Sequence, residues 1–518
     1  MPILTNINSV IPGSGDSLFN LYVLEQVFQN ILKGMPLYYG QMLFPSSNTL
    51  AFSSNLFIYQ IIYAPLRLLG LHPQAAFNML FVLMLALLSC VVYEWMYRKL
   101  KHFGYALFGT LMAVFASMPL YYLTGHFQLF SGYWYLIVLV MIDNYFERYA
   151  ARYVFGAVIV VVVMAAADPA VAVMGVLFVA VYLGARWRSV VDVVRRDFII
   201  PRRVVAIAAT AAVAGVFLYL ILAPYLHVVT QFGYYSRKLI LACRTRPESF
   251  LTASPFSLFH KPVRMYWGLH EAIHFTGFVY LFMLALGVYH SFRANVSMRA
   301  LLIACAVLYL ASFGPIYIGN TDIPANPFYA IPMYLFPGFN TYVAIVGIRE
   351  TVKLIPVRTF AITFVFAAVV FIGAESIARL DTMPFSYSQI RQKYDGLSSY
   401  FKRGDSVIRF PYATWASTDV LEEMIGMLQT DARTVNGYSG QDPVVRRHFE
   451  GAYTVADLTN SSRISALFDD CRSNRINWLM FDKTAIPATI MNNMYSAEIP
   501  MRCAPIDTGL FLLLQIVE

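Results

Sequence analysis

The chain of 518 residues is 58% hydrophobic by residue type, only 13% charged, and carries a formal net charge of +9. Soluble globular chains carry about 25% charged residues, so this composition excludes a soluble enzyme and a disordered scaffold. Residues 1–379 contain 25 Lys and Arg against 13 Asp and Glu, whereas residues 380–518 contain 13 against 16. We therefore expect a polytopic membrane domain at 1–379, a polar domain at 380–518, and no nucleic-acid partner.

The first predicted element is an amphipathic helix over residues 15–34, on which Leu21, Leu24 and Phe28 share one apolar face. Such a helix is expected to lie along the outer membrane surface. Asp16 stands near its start, where an acid can cap the helix, act as a catalytic carboxylate at the interface, or do both. Glu25 falls inside the apolar face, where it is either a snorkelling or paired acid at the edge of the helix, or a second functional acid or substrate contact. The residues alone leave both pairs of roles open.

A second segment, 52–72, is predicted to form a helix that lies at or dips into the outer interface. The apolar runs that follow are long enough, about 20 residues each, to cross a bilayer. Together they predict about 10–11 transmembrane helices. The predicted spans are 75–97, 104–122, 128–146, 152–167, 170–185, 204–225, 275–292, 299–316, 328–347 and 358–377.

Alternate connections between these spans are rich in Lys and Arg, such as Arg98, Lys99 and Lys101, and the stretch 186–203 with its arginines. The positive-inside rule places these connections in the cytoplasm. The first loop 1–51, the long loop 226–274 and the tail from 380 are then extracytoplasmic, in a multi-pass protein of the plasma (inner) membrane. Either a first helix upstream of Met1 carries loop 1–51 outward, which is the alternative we favour, or the later helices translocate this loop.

The tail has the pattern of a small α/β domain. Short apolar runs separated by turn residues predict strands, and two segments with helical periodicity predict helices. The strands are expected at 406–412, 433–440, 476–482 and 509–517, and the helices at 419–429 and 463–473.

Three further polar residues lie at predicted outer ends of spans. His126 and Gln128 belong to a Gly-His-Phe-Gln turn. His126 is a proton carrier, a substrate contact or a hydrogen-bonded structural histidine, and Gln128 is a candidate substrate contact. Asp168 precedes Pro169 at a hairpin tip, where it is either a helix cap or a second acid.

Four positive charges fall within ten residues of the long outer loop, on Arg237, Lys238, Arg244 and Arg246. They can hold a phosphate or pyrophosphate, or they can attract anionic lipid headgroups.

The stretch GDSLFNLYVLEQVFQNILKG (15–34) and the run from LFPSSN to YRKL (43–100) resemble the opening of the GT-C superfamily of polytopic membrane glycosyltransferases. The segments 121–134 and 435–443 resemble a bacterial, largely uncharacterised branch with a C-terminal extracytoplasmic domain. The resemblance implies a GT-C-like membrane domain and a catalytic carboxylate in the first outer loop, here Asp16. The chain departs from the family in lacking a first span and any D-x-D motif.

The resemblance further implies inverting transfer of a sugar from a polyprenyl-phosphate lipid donor to an envelope glycan, lipid or protein acceptor on the outer face. The four basic residues of the long loop would then bind the donor phosphate. A divalent cation (Mg²⁺ or Mn²⁺) stays open as a cofactor, and membrane lipids are expected partners. Two other functions remain open: a transporter or flippase for a lipid-linked saccharide, and a non-catalytic envelope assembly protein.

Overall fold

The computed structural model describes residues 2–516 with gaps at 14, 116, 199, 233–251, 253–277, 293–295, 313–316, 319–320, 323–330, 357, 377–381, 413–416, 439–442, 451 and 496–504. The helices are α1 (Pro2–Thr5), α2 (Gly15–Lys33), α3 (Gln60–Leu68), α4 (Pro73–Leu100), α5 (Phe103–Phe115), α6 (Ser117–Gly125), α7 (Leu129–Gly132), α8 (Tyr135–Arg148), α9 (Arg152–Ala165), α10 (Pro169–Ala185), α11 (Trp187–Phe198), α12 (Pro201–Phe232), α13 (Phe278–Phe292), α14 (Val296–Ser312), α15 (Ile331–Leu354), α16 (Arg358–Ser376), α17 (Tyr387–Lys393), α18 (Thr418–Met427), α19 (Val444–Phe449), α20 (Ser461–Ser473) and α21 (Ala488–Tyr495). The strands are β1 (Val10–Pro12), β2 (Tyr317–Ile318), β3 (Thr321–Asp322), β4 (Thr382–Pro384), β5 (Ser406–Phe410), β6 (Arg433–Thr434), β7 (Trp478–Asp482), β8 (Ile506–Asp507) and β9 (Phe511–Gln515).

The chain divides into two compact units. The first unit contains Met1–Thr5, Asn78–Ala223 and Tyr234–Thr382. The second contains Asn6–Phe77, Pro224–Gly233 and Met383–Glu518, and so it combines amino-terminal residues with the C-terminal segment.

Where the predicted spans fall on described residues, each of them contains an apolar helix. Among the described residues, α4, the segment Leu129–Arg148 and α12 are long and apolar enough to cross a membrane on their own. Two bent helix pairs add candidates, α5 with Pro119–Gly125 at 46° and α10 with Trp187–Arg196 at 89°. Only Val228 of α12 is buried, so this helix leaves its apolar surface free to face lipid. The expected fold class, an α-helical polytopic domain with a C-terminal α/β part, is confirmed.

Close helix packing in the first unit depends on two glycines. A Cβ added at Gly287 of α13 would lie 1.8 Å from the backbone oxygen of Val343 in α15. One added at Gly347 of α15 would lie 2.2 Å from the backbone oxygen of Met283. A real Cβ atom cannot lie so close to a backbone oxygen. Because both positions are glycines, the backbones of α13 and α15 can be in direct contact, as is common between membrane helices.

Three of the predicted strands of the tail are observed as β5, β7 and β9, and both predicted helices are observed as α18 and α20. The strand predicted at 433–440 is observed only at Arg433–Thr434, because the chain leaves the sheet at 435–438. With β8, which the sequence did not predict, these strands form one mixed sheet with the order β6-β5-β7-β9-β8. Strand β5 pairs in parallel with β6 and β7, whereas β9 runs antiparallel to β7 and β8. Buried apolar residues of β5, β7 and β9 pack with helix α20 in a common core. The hydrophobic residues that predicted the strands are therefore the residues that bury the sheet.

Residues of the first loop extend this C-terminal structure. The backbone N–H groups of Leu43 and Phe44 donate to the carbonyls of Asn436 and Thr434, at 3.1 and 3.0 Å. The N–H of Thr434 returns a bond of 2.7 Å to the carbonyl of Gln41. Segment 41–44 thus pairs with backbone groups of β6, the edge strand of the sheet. Without this segment, those groups would be exposed and unpaired.

A second connection within this unit is made by the side chain of Gln74. Its Nε2 donates to the carbonyls of Val10 and Phe385, at 3.1 and 2.8 Å. Its Oε1 accepts from the N–H of Tyr387 at 3.1 Å. Gln74 is fully buried, and these three bonds use most of the capacity of its amide. The amino-terminal strand β1 and the start of the tail are therefore tied to the start of α4.

Helix α2 is more deeply buried than its sequence pattern predicts. Residues 17–28 are buried all round, including Asn20, which lies opposite the apolar face at 5% exposure. Ile31 and Leu32, at the far end of that face, are instead exposed. The pattern identified the helix correctly, but protein rather than only a membrane surface covers it.

Acid should weaken the C-terminal structure through Asp482, at the end of β7. Its Oδ2 accepts from Arg409 at 2.7 Å and Lys393 at 2.9 Å, and its Oδ1 from Thr484. Burial alone would raise the pKa of Asp482, but these hydrogen bonds and charges outweigh it and lower the pKa to about 2. Because this pKa lies below the ordinary value near 4, the carboxylate stabilises the fold above about pH 4. We expect roughly 2 kcal/mol of stability to be lost as the pH falls from 4 to 2.

Thermal unfolding of the detergent-solubilised chain against pH measures this loss. Asp482→Asn should be less stable at neutral pH and should lack this part of the pH dependence. Asp507→Asn is the matched control, because Asp507 pairs with Lys483 at 2.8 Å on a more exposed surface. Equal pH profiles for the Asp482 variant and the unsubstituted protein would contradict the assignment.

Candidate functional site

The predicted catalytic acid lies in the first turn of helix α2. Asp16 follows Gly15, the first residue of the helix, and its side chain is partly exposed. The free N–H groups of a first turn carry partial positive charge, which favours a carboxylate there. The Asp16 Oδ1 also accepts a hydrogen bond of 2.5 Å from the hydroxyl of Tyr438. A residue of the first loop and a residue of the C-terminal segment thus form one polar group.

Tyr438 is held by contacts along its ring and backbone. Its ring packs against that of Phe19, with ring centroids 5.3 Å apart. The preceding residue, Gly437, lies so close to segment 41–44 that an added Cβ would be 2.5 Å from Cγ of Leu43. A larger residue at 437 would push the turn away from the first loop. The glycine is therefore part of what places the hydroxyl of Tyr438 on Asp16.

A buried polar network lies behind this turn. Glu423 of α18 is 1% exposed and accepts hydrogen bonds from the hydroxyl of Thr434 and from Nδ2 of Asn436. The Oδ1 of Asn436 in turn accepts from the N–H of Gly437 at 3.1 Å. Burial raises the pKa of Glu423, although the nearby charge of Arg409 and these hydrogen bonds oppose the rise. A satisfied network of this kind fixes one conformation of the turn that carries Tyr438.

Glu25, the second acid of the helix, is buried in an ion pair. Both of its oxygens accept from the guanidinium of Arg67, at 2.8 and 3.0 Å, and Oε2 also accepts from the hydroxyl of Tyr63 at 2.8 Å. Its side chain is 3% exposed. This geometry supports the paired-acid role that the sequence left open.

The other polar candidates, His126, Gln128 and Asp168, belong to the first unit. Asp168 caps α10, since its Oδ1 accepts from the N–H of Ala170 at 2.7 Å and of Val171 at 3.3 Å. His126 and Gln128 lie in the turn between α6 and α7, and the carbonyl of Gln128 accepts from the hydroxyl of Ser131. The cap role of Asp168 is thus observed, and substrate contacts by His126 and Gln128 stay predictions.

Comparison with known proteins rests on structure alone, because no family model and no curated protein matches the sequence. The oligosaccharyltransferase of Archaeoglobus fulgidus is similar over 92% of this chain and 66% of its own, with 11% identity and a TM-score of 0.52. The arabinofuranosyltransferase AftD from Mycobacteria is similar over 99% of this chain and 40% of its own, with 14% identity and a TM-score of 0.59. Both are GT-C superfamily membrane glycosyltransferases. This protein has the GT-C fold.

The GT-C resemblance seen in the sequence is therefore confirmed at the level of the fold. The chain spans about two thirds of the archaeal protein and 40% of the mycobacterial one. At identities of 11% and 14% the likeness concerns the fold, and the activities of those two proteins are not transferred with it.

Two further predictions concern the binding of the donor phosphate and of a metal ion. Arg237, Lys238, Arg244 and Arg246 lie outside the described residues, so their role in phosphate binding stays a prediction. Within the described part of the chain, no group of three or more His, Cys, Asp or Glu side chains could hold a metal ion.

The contact between Tyr438 and Asp16 is not indicated by the sequence. The motif VNGYSGQDP (435–443) is part of the GT-C resemblance, but nothing in it distinguishes its tyrosine from the many others in the chain. No local signal connects positions 16 and 438, because the hydrogen bond joins residues 422 apart in the chain. The one available hint was that both motifs carried the same resemblance.

Proposed function

We propose that this protein is a membrane glycosyltransferase that moves a sugar from a polyprenyl-phosphate-linked donor to an envelope glycan, lipid or protein on the outer face of the plasma membrane. The observation that carries the proposal is the pairing of Asp16 with Tyr438 in a chain with the GT-C fold. A carboxylate oriented by a hydrogen-bond donor at the start of a helix suits a general base. The positive-inside pattern of the sequence supports an extracytoplasmic position for this residue and for the C-terminal domain.

In the proposed reaction, Asp16 accepts the proton of an acceptor hydroxyl. The hydroxyl of Tyr438 holds Oδ1, so Oδ2 is the atom that takes the proton. The acceptor oxygen forms a bond to the anomeric carbon of the donor sugar from the face opposite the phosphate. The bond from that carbon to the phosphate oxygen breaks, and the polyprenyl phosphate leaves with the electron pair. The anomeric configuration is inverted.

The donor phosphate needs positive charge, because negative charge grows on it as the bond breaks. We assign this part to Arg237, Lys238, Arg244 and Arg246 of the long outer loop. Arginine is suited to it, since its planar guanidinium can bind two phosphate oxygens at once. The lipid tail of the donor explains why such an enzyme is embedded in a membrane.

Purified protein in proteoliposomes should transfer labelled sugar from polyprenyl-phosphate donors and not from nucleotide sugars. The acceptors in the assay are membrane extracts of the organism that encodes the protein. Each reaction is run with Mg²⁺, with Mn²⁺ and with a chelator, because the sequence leaves open whether a divalent cation is a cofactor. Movement of the labelled lipid between leaflets without transfer would favour the flippase function. If folded protein shows no sugar transfer and no lipid movement, the result would favour an assembly role and end the proposal.

A further inference from the structure

Helix α11 (Trp187–Phe198) connects two apolar helices, α10 and α12. The direction of the chain changes by 89° between α10 and residues 187–196. Helix α10 is apolar along its whole length, and α12 is long and apolar enough to cross a membrane by itself. A helix at right angles to a spanning helix runs along the membrane surface rather than across it.

The bend between α10 and α11 is held by a cluster of charged side chains. Arg186, which separates the two helices, donates from Nη1 to Oδ1 of Asp143 in α8 at 2.6 Å. Oδ2 of Asp143 accepts from Nζ of Lys99 in α4, also at 2.6 Å. Lys99 and Asp143 both lie near the carboxyl-terminal ends of their helices. The ends of α4, α8 and α10 therefore meet at one level of the first unit, and α11 begins there.

The sequence around this level is strongly basic. The stretch 186–203 contains six arginines against two aspartates. Arginine and aspartate side chains are costly in the hydrocarbon core of a bilayer, which argues against α11 entering that core as part of a broken or re-entrant span. The positive-inside pattern predicts that this end of the helices is cytoplasmic. The level of the lipid headgroups on the cytoplasmic side is therefore the position that suits α11.

One face of α11 is apolar and uncovered. At about 100° per residue, Trp187, Val191 and Val194 point in nearly the same direction from the helix axis. Trp187 is 59% exposed and Val194 is 43% exposed. Val193, on another side of the helix, is only 4% exposed, so that side is the one that packs against the protein. The exposed face has the tryptophan and the aliphatic side chains that are typical of a helix at a membrane interface.

Two arginines lie beside this apolar face. Arg188 and Arg195 are both exposed and lie on the same side of the helix. Among the described residues, neither has a carboxylate within ion-pair distance. The guanidinium of Arg188 lies 5.6 Å from the centre of the Trp187 ring, at the boundary of the apolar face. Asp192 shares the side of the arginines, so the three side chains together carry one net positive charge.

We propose that α11 lies in the cytoplasmic surface of the membrane and binds anionic phospholipid there, with Trp187 and Val194 among the acyl chains and Arg188 and Arg195 on the lipid phosphates. An anionic lipid complements both parts of this surface, because its acyl chains cover the apolar face and its headgroup supplies the negative charge. Arginine suits this boundary, since its apolar stem can stay with the acyl chains while its guanidinium binds the phosphate. The proposal uses the predicted orientation of the chain and does not depend on sugar transfer.

Photo-cross-linking of the full chain tests the proposal. Benzoylphenylalanine replaces Trp187, and the protein is reconstituted in nanodiscs that contain equal amounts of phosphatidylglycerol and phosphatidylcholine. The probe should cross-link to phospholipid, with phosphatidylglycerol favoured about fivefold, the contribution of one net positive charge near a membrane surface. The same probe in place of Phe217 is the matched control. Phe217 is 54% exposed on the apolar helix α12, so the probe there should cross-link to both lipids equally.

Two pairs of substitutions, each combined with the probe at position 187, separate α11 from the general charge of this end of the protein. Arg188→Gln with Arg195→Gln should abolish the preference for phosphatidylglycerol. Arg98→Gln with Lys101→Gln removes two cations from the end of α4 and should change the preference by less than about twofold. All four side chains are exposed, so both double variants are expected to fold.

Four results would overturn the proposal. The first is cross-linking to lipid from position 217 but not from position 187, and the second is equal cross-linking of the two lipids at position 187. The third is an equal loss of preference in the α4 double variant, which would assign the effect to the general charge of this surface. The fourth is cross-linking of position 187 to a protein instead of lipid in membranes of the organism that encodes the chain, which would make the apolar face a protein interface.

Discussion

Asp16→Asn should reduce sugar transfer by about 10²–10⁴-fold, the contribution typical of a general base. Asparagine has nearly the same shape as aspartate and can still accept the hydrogen bond from Tyr438, so the site should remain assembled. It cannot take up the proton of an acceptor hydroxyl. The loss should therefore appear in kcat, with little change in KM for the donor. Initial rates with a polyprenyl-phosphate sugar in proteoliposomes measure it.

The chain offers a matched control in Asp419, which also stands in the first turn of a helix of the same unit, α18. Asp419→Asn removes the same charge from the same helical position and should leave the rate within about twofold. Tyr438→Phe keeps the ring against Phe19 but removes the hydroxyl, and it should cost about tenfold in rate. Full activity in Asp16→Asn would exclude this residue as the base, and a similar loss in Asp419→Asn would indicate a general effect of charge.

Arg67→Met should cost about 3–5 kcal/mol of stability, because it leaves the buried carboxylate of Glu25 without its cation. The Glu25 side chain is 3% exposed and that of Arg67 19%, and the guanidinium holds both carboxylate oxygens. The guanidinium of Arg67 also lies over the ring of Phe28, with Cζ 5.4 Å from the ring centre. Methionine keeps an apolar side chain of similar length at this position but removes the positive charge from both Glu25 and the ring. Thermal or denaturant unfolding of the purified chain measures the change.

Lys33→Met is the matched control for this substitution. Lys33 pairs with Asp431 at a similar distance of 2.9 Å, but the two side chains are 47% and 55% exposed. Water solvates both charges after the pair is broken, so the variant should lose less than about 1 kcal/mol. If Arg67→Met unfolded no more easily than Lys33→Met, the Glu25 pair would not be a stabilising feature of the second unit.

Local patterns predicted the elements of this fold well. Long apolar runs predicted the helices of the first unit, and the alternation and turn residues of the tail predicted β5, β7 and β9. Asp168 before Pro169 predicted a helix start, and the carboxylate does cap α10. These features depend on a few neighbouring residues, so the sequence contains what is needed to infer them.

The burial of α2 shows where such inference stops. Its apolar face predicted an amphipathic helix on a membrane surface, yet Asn20 on the opposite face is buried as well. Periodicity reports which face avoids water, but it does not report what covers the helix. Glu25 within the apolar face was the sign of a buried partner, and only the fold identified that partner as Arg67.

The sequence by itself determined the membrane class of this protein, its helices, the strands of its tail and the acid that we propose as the base. Tertiary structure alone decided that Asp16 meets Tyr438, and that Gln41 reaches the carbonyls of Thr430 and Ala432. These pairs are separated by 422, 389 and 391 residues. The physical reason is that hydrophobic periodicity is a property of a short segment, whereas a hydrogen bond between distant segments depends on how the whole chain packs.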